Sequence, residues 1–146
     1  MIRYEYFRST ELFTILRMVS ENFEYHYHPG IFLASHQEWP EGFITARYGS
    51  RIVGFVMGKV LDMKVRILLF AVQPEFRKRG VGAGLLRQFE QEVAALDVVK
   101  IILEVRASNA RAIKFYRFHG FVESGFVPGF YSSGEGAVAM TRYLRS

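Results

Sequence analysis

The chain has 146 residues, 50% of them apolar and only four proline, which suits one domain with a buried core and argues against disorder. It has no cysteine, which excludes disulfides, thiolate metal sites and a cysteine nucleophile, and with no membrane-length apolar run and no apolar signal segment in MIRYEYFRST the expectation is a cytoplasmic protein without a membrane partner. The net charge of +5 is concentrated in residues 51–79, where Arg51, Lys59, Lys64, Arg66, Arg77, Lys78 and Arg79 outnumber Asp62 and Glu75; the bias fits nucleic acid, an acidic protein surface, a phosphorylated small molecule or simply a solvated basic face.

IRYEYF (2–7) alternates as a strand. Ser9 and Thr10 are placed to cap a helix whose Leu12, Phe13, Leu16 and Val19 share one face. NFEYHYHPG (22–30) follows, and then a short apolar helix near IFLASH (31–36). GFITARY (42–48), a Gly49-Ser50 turn and RIVGFVMGKVL (51–61) read as a hairpin, with Asp62-Met63-Lys64 as a second turn. VRILLFAVQP (65–74) is too apolar for a half-exposed strand and belongs at the centre of a sheet. Val81, Leu85, Leu86, Phe89, Val93 and Leu96 then recur at helix period. VKIILEVR (99–106) reads as another buried strand and NARAIKFYRFHGF (109–121) as a helix closed by Gly120. FVESGFV (121–127) and GAVAMTRYL (136–144) end the chain as strands. The order predicts a single domain over residues 1–146 of mixed α/β class with a parallel pair at its centre.

EFRKRGVGAGLL (75–86) places Gly80, Gly82 and Gly84 where a helix begins, although each helical glycine costs about 1 kcal/mol relative to alanine. A strand, a basic-glycine turn and a helix start together make an anion site. The first N–H groups of a helix lack internal partners, the dipole reinforces them, and glycine lets a phosphate approach closely. The pattern is not a Walker loop, because no Lys-Ser/Thr pair follows the glycines, nor a dinucleotide fingerprint. Taken alone, Arg77-x-x-Gly80-x-Gly82 is read more readily as turn chemistry.

The wider context decides. Val72-Gln73-Pro74, Arg77-x-x-Gly80-x-Gly82 and Asn109-x-x-Ala112-x-x-Phe115-Tyr116-x-x-x-Gly120-Phe121 occur in that order. Residues 65–121 thereby resemble the GNAT family of N-acetyltransferases, and within it the RimI-type and archaeal enzymes that acetylate protein N-termini. The resemblance extends weakly through YSSGEGAVAM (131–140) and covers the N-terminal third only in the order of elements. It implies a central mixed sheet of about seven strands with a splayed parallel pair and four helices. It also implies acetyl-CoA as co-substrate, without a metal. The pantetheine chain would lie between the splayed strands, with its pyrophosphate on the backbone of 78–83 and its thioester near Ala71 and Val72. The implied coenzyme set is Phe70, Ala71, Val72, Arg77, Lys78, Arg79, Gly80, Val81, Gly82, Ala83, Gly84, Asn109 and Tyr116.

The residues agree with that chemistry. A Val72 N–H freed where the ladder opens can stabilise the developing oxyanion, and Pro74 helps end the strand. Tyr116 is either a core tyrosine or, with an ordinary pKa near 10, the proton donor to the leaving thiolate. Asn109 suits a helix cap and a ligand contact equally. Glu104 interrupts an apolar strand, so it is either the base for the acceptor amine or the ion-pair partner of a nearby arginine such as Arg106. Tyr27 and Tyr131, with Phe23, Tyr25 and Phe130, supply aromatic walls for a short peptide or else belong to the core. His26 and His28 have no third ligand nearby, so a substrate-side loop is a better reading than a metal pair. The resembling enzymes carry an acidic residue after Gly-Glu in the penultimate loop; here Gly136 follows Glu135.

The expected activity is acetyl transfer to the N-terminal α-amine of a protein or peptide, such as a ribosomal protein or nascent chain, without an acyl-enzyme. An α-amine near pKa 8 needs less help from one carboxylate than a lysine near 10.4. The competing readings are acetylation of lysine, a polyamine or another small amine, and a noncatalytic acyl-CoA sensor, which the presence of both Glu104 and Tyr116 disfavours. Nucleic-acid recognition comes last, because no RNA-binding motif accompanies the basic residues.

Overall fold

A computed structural model describes residues 1–23 and 27–144. In chain order the elements are β1 (Ile2–Tyr6), α1 (Leu12–Asn22), α2 (Pro29–Glu38), β2 (Phe43–Tyr48), β3 (Arg51–Leu61), β4 (Lys64–Val72), α3 (Val81–Ala94), β5 (Lys100–Arg106), α4 (Ala110–Phe118), β6 (Val122–Val127) and β7 (Ala137–Tyr143). The seven strands follow the order β1-β2-β3-β4-β5-β7-β6, with β4 and β5 parallel. The expected mixed α/β class, the parallel pair and the central place of β4 are all present. Two compact units divide the chain: Met1–Val60 with Ile67–Leu96, and Leu61–Arg66 with the residues from Asp97 onward.

The first unit is built on β1, β2, β3 and the Ile67–Val72 part of β4. Its core joins Phe7, Phe43 and Phe55 to Ile15, Met18 and Val19 of α1 and Phe32 of α2. The rings of Phe7 and Phe43 stack with centroids 4.0 Å apart. Two expectations for α1 fail. Phe13 is 80% exposed, because one step beyond Leu12 turns a helix by about 100°, away from the stripe that Ile15, Met18 and Val19 form. Ser9 and Thr10 do not cap α1. The chain winds Ser9–Glu11 into a short 3₁₀ turn, and Glu11 Oε1 accepts from the Arg8 N–H at 2.9 Å instead. On α3 the predicted apolar face is buried from Val81 to Val93, whereas Leu96 lies past the end of the helix. Gly84 on that face is required by packing, because a Cβ there would overlap the Tyr4 hydroxyl.

In the second unit β5 pairs with β7 from Lys100↔Tyr143 to Arg106↔Ala137, and β7 carries β6. The parallel register comprises Lys64↔Lys100, Val65↔Ile101 and Arg66↔Ile102. The sequence suggested a fully buried β5, yet only Ile101, Leu103 and Val105 are buried, and β4 likewise buries Val65, Ile67, Leu69 and Ala71 in alternation. Period-two geometry puts the intervening residues, Glu104 among them, on a more open face. Asn109 caps α4 through its Oδ1, which accepts from the Ala112 N–H at 3.1 Å. Gly120 follows the helix with φ of 93°, as a left-handed C-terminal glycine should.

Candidate active site

In the first unit β4 ends at Val72, a 3₁₀ turn covers Pro74–Phe76, and α3 starts at Val81 with Gly80 as its N-cap. Lys78 and Gly80 both adopt left-handed conformations, with φ of 62° and 81°. A Cβ at Gly80 would meet nothing within 4 Å, so the glycine answers a backbone demand rather than a steric one. The first helical bond is Gly84 N–H to Gly80 O at 2.9 Å. The N–H groups of 80–83 therefore precede the helix's own ladder, while that of Gly84 is already spent inside it. Lys78 and Arg79 are exposed beside those donors, and the Arg79 guanidinium lies 5.5 Å from the Phe76 ring centroid. Exposed cations and outward N–H groups at a dipole's positive end fit a phosphate.

Arg77 is engaged differently. Its Nε donates to Val72 O at 3.1 Å and its Nη2 to Asn22 Oδ1 at 3.3 Å, so it ties the end of β4 to α1. The Gln73 N–H donates to Val53 O at 2.8 Å on β3. Backbone donors alternate along a strand, so the Val72 N–H points away from the β3 edge of β4. Ala71 is buried, and Phe70 and Val72 are half-buried.

Tyr27 packs against the first unit's core and meets Phe23 edge-to-face at 6.2 Å. His28 caps α2, its Nδ1 accepting from the Gly30 N–H at 2.9 Å. Tyr25 and His26 lie outside the described residues. Among the described residues no group of three or more His, Cys, Asp or Glu side chains could hold a metal.

Glu104, Tyr116, Asn109 and Tyr131 belong to the second unit. Arg66 Nε donates to Glu104 Oε1 at 2.9 Å, and its Nη2 lies 2.6 Å from the same oxygen in the ion pair. The sequence had suggested Arg106, two positions along. The neighbouring strand supplies Arg66 instead, and Arg106 turns to the 128–136 loop, where it bonds Glu135 at 2.7 Å and stacks 4.4 Å from the Tyr131 centroid. Glu135 also accepts from the Ser108 N–H at 2.8 Å. Hydrogen bonds from Ser108 and Arg106 hold its carboxyl down to about 2. This clamp fixes the loop that carries Tyr131. At the neighbouring Gly136 a Cβ would overlap the Phe126 ring as it stands, so any side chain there would require that exposed ring to move.

Tyr116 is 8% exposed, its ring meeting Phe115 and Phe121 edge-to-face at 5.4 and 5.5 Å. Burial, reinforced by Tyr131 and partly offset by Arg111, pushes its phenol well above the ordinary value. The hydroxyl therefore stays protonated throughout the neutral range. Sequence reasoning missed Arg66 and the Arg106–Glu135–Ser108 clamp. The available signal was that Arg66 and Glu104 each interrupt an apolar strand.

Residues 9–121 match the Acetyltransferase (GNAT) family. The chain belongs to the GNAT family. The match takes in the glycine turn, Glu104 and Tyr116, and this GNAT protein is an acetyl-CoA-dependent acyltransferase. The GNAT chain is similar to the [ribosomal protein bS18]-alanine N-acetyltransferase of Salmonella typhimurium, 36% identical over 86 residues that make up 59% of this chain and 58% of the relative. It is similar to an N-alpha-acetyltransferase of Sulfurisphaera tokodaii, 27% identical over 137 residues that make up 85% of this chain and 80% of the relative. Ard1 from Thermoplasma volcanium has a similar structure, with a TM-score of 0.93 and 32% identity over 99% of both chains.

Proposed function

We propose that this enzyme acetylates the N-terminal α-amino group of a protein or peptide, with acetyl-CoA as donor. The observation that carries the donor half is the left-handed Lys78–Gly80 turn, which leaves the N–H groups of 80–83 ahead of the α3 ladder beside exposed Lys78 and Arg79. Those groups hold the pyrophosphate; Phe70, Ala71 and the Val72 backbone attend the pantetheine end, with Asn109 and Tyr116 completing the set. Arg77 contributes by bracing the strand end, and Gly84 by admitting Tyr4.

Acetyl-CoA supplies an activated acyl group on a thiolate leaving group. Glu104 takes the proton of the acceptor amine, directly or through water, and the Val72 N–H stabilises the oxygen that gains charge. Tyr116 gives a proton to the departing sulfur. Its raised pKa makes it a weaker acid than an ordinary phenol but keeps the proton in place at any physiological pH. Tyr131, held by the Arg106–Glu135 clamp, and Tyr27 are the residues we assign to acceptor recognition. The alanine N-acetyltransferase and N-alpha-acetyltransferase relatives support an α-amine over lysine, and make a ribosomal protein or nascent chain in the cytoplasm the acceptor we favour. Among the described residues no helix is long and apolar enough to cross a membrane.

Gly82→Glu tests the donor half. A carboxylate at the second helical position suits the dipole, so the fold should persist, but it places negative charge in the anion site. Coenzyme A binding by calorimetry should be lost with little change in thermal midpoint; unchanged affinity would reject the site.

A further inference from the structure

Arg66 and Glu104 are charges set inside apolar strands, and they face each other beside the last of the three parallel register pairs, Arg66↔Ile102. Their side chains are 34% and 17% exposed. A partly exposed ion pair typically adds about 1 kcal/mol or less, a weak reason to place two charges in apolar strands. The geometry is more informative than the energy. Nε and Nη2 converge on one oxygen, Oε1, and among the described residues Oε2 has no hydrogen bond. A planar guanidinium that donates from Nε and keeps Nη2 against the same oxygen fixes a carboxylate's position in a way that a mobile ammonium does not.

We infer that Arg66 is a positioning residue: it holds Glu104 by Oε1 and presents Oε2 as the oxygen that takes the proton of the acceptor amine. The inference rests on the reading of Glu104 as the base. Proton transfer demands hydrogen-bond reach, and a carboxylate free to rotate spends little time in the productive pose. Holding one oxygen removes that freedom while leaving the other able to accept. Arg66 touches neither amine nor acyl group in this scheme and acts only through Glu104.

The experiment compares wild type, Arg66→Gln, Arg66→Lys, Glu104→Gln and the Arg66→Gln/Glu104→Gln double variant. Each is measured for thermal midpoint, coenzyme A affinity, and kcat and KM with a peptide bearing a free α-amine. Arg66→Gln should lower kcat about 10- to 100-fold, the scale of losing a positioned group, with KM and coenzyme affinity unchanged. Arg66→Lys, which keeps charge but not the fork, should recover only part of that loss. It also keeps the test alive if the glutamine variant folds poorly. In the Glu104→Gln background Arg66→Gln should cost nothing further, because its effect runs through the missing carboxylate. Wild-type kcat in Arg66→Gln, full recovery by lysine, or additive losses in the double variant would overturn the inference. Wild-type kcat in Glu104→Gln would instead remove the base assignment, and the inference with it.

Discussion

Replacing Tyr116 by phenylalanine removes one oxygen and leaves the ring. The ring is what packs, 8% exposed between Phe115 and Phe121. Loss of a typical hydrogen bond costs about 0.5–1.5 kcal/mol of stability, so Tyr116→Phe should remain folded and bind coenzyme A normally. The loss of a general acid is larger, about 10²–10⁴ in rate, equivalent to roughly 3–5 kcal/mol of barrier. The kinetic effect therefore exceeds the structural one. Single-turnover transfer to a free α-amine peptide, with calorimetry and thermal melting on the same preparation, separates them. The pH dependence sharpens the test. An ordinary phenol would lose its proton near 10, but burial, with a further push from Tyr131, raises Tyr116, so wild type should show no alkaline fall from this group until well above that value. The raised value also has a stability sign: the contribution of the neutral phenol is present below about 10 and is lost as pH rises through the folded value. Tyr116→Phe should accordingly lose less stability in strong alkali than wild type. A folded, coenzyme-binding Tyr116→Phe protein with turnover within about twofold of wild type would refute the acid role, since the smallest expected loss is about 10².

Gly84→Ala places a methyl on the Tyr4 hydroxyl, and overpacking of about 1–3 kcal/mol should outweigh the roughly 1 kcal/mol gained from helix propensity. The melting midpoint should fall, and adding Tyr4→Phe should restore part of it; a midpoint at or above wild type would contradict the packing account. Glu135 is held down to about 2 by Ser108 and Arg106, so its loop clamp is intact above the ordinary carboxylate range and is lost only as pH falls towards 2. The NMR shift of the Ser108 amide should titrate near that value, and a midpoint between 4 and 5 would show that the clamp is not formed.

The sequence was legible where a local pattern carried its own physical reason. The glycines after Arg79 marked a helix start with outward N–H groups, and a left-handed Gly80 before Val81 is what that reading needs. Glu104 drew notice because a carboxylate in an apolar strand requires a partner. The partner itself was hidden, since Arg66 is 38 residues away and reaches Glu104 only once the parallel strands pair. Gly84 read as part of an anion loop because nothing local reveals that Tyr4 packs on it. Ser9 and Thr10 looked like caps until Glu11 took the Arg8 amide, and Phe13 looked like core because it neighbours Leu12 in sequence rather than on the helix face.

The central claim, that the acceptor is an N-terminal α-amine, is tested most directly with one peptide carrying both a free amino terminus and an internal lysine, and a second copy with that terminus blocked. After incubation with enzyme and acetyl-CoA, tandem mass spectrometry locates the acetyl group. The account predicts a single acetyl on the α-amine of the first peptide and none on the second; acetyl on lysine in either peptide would contradict it.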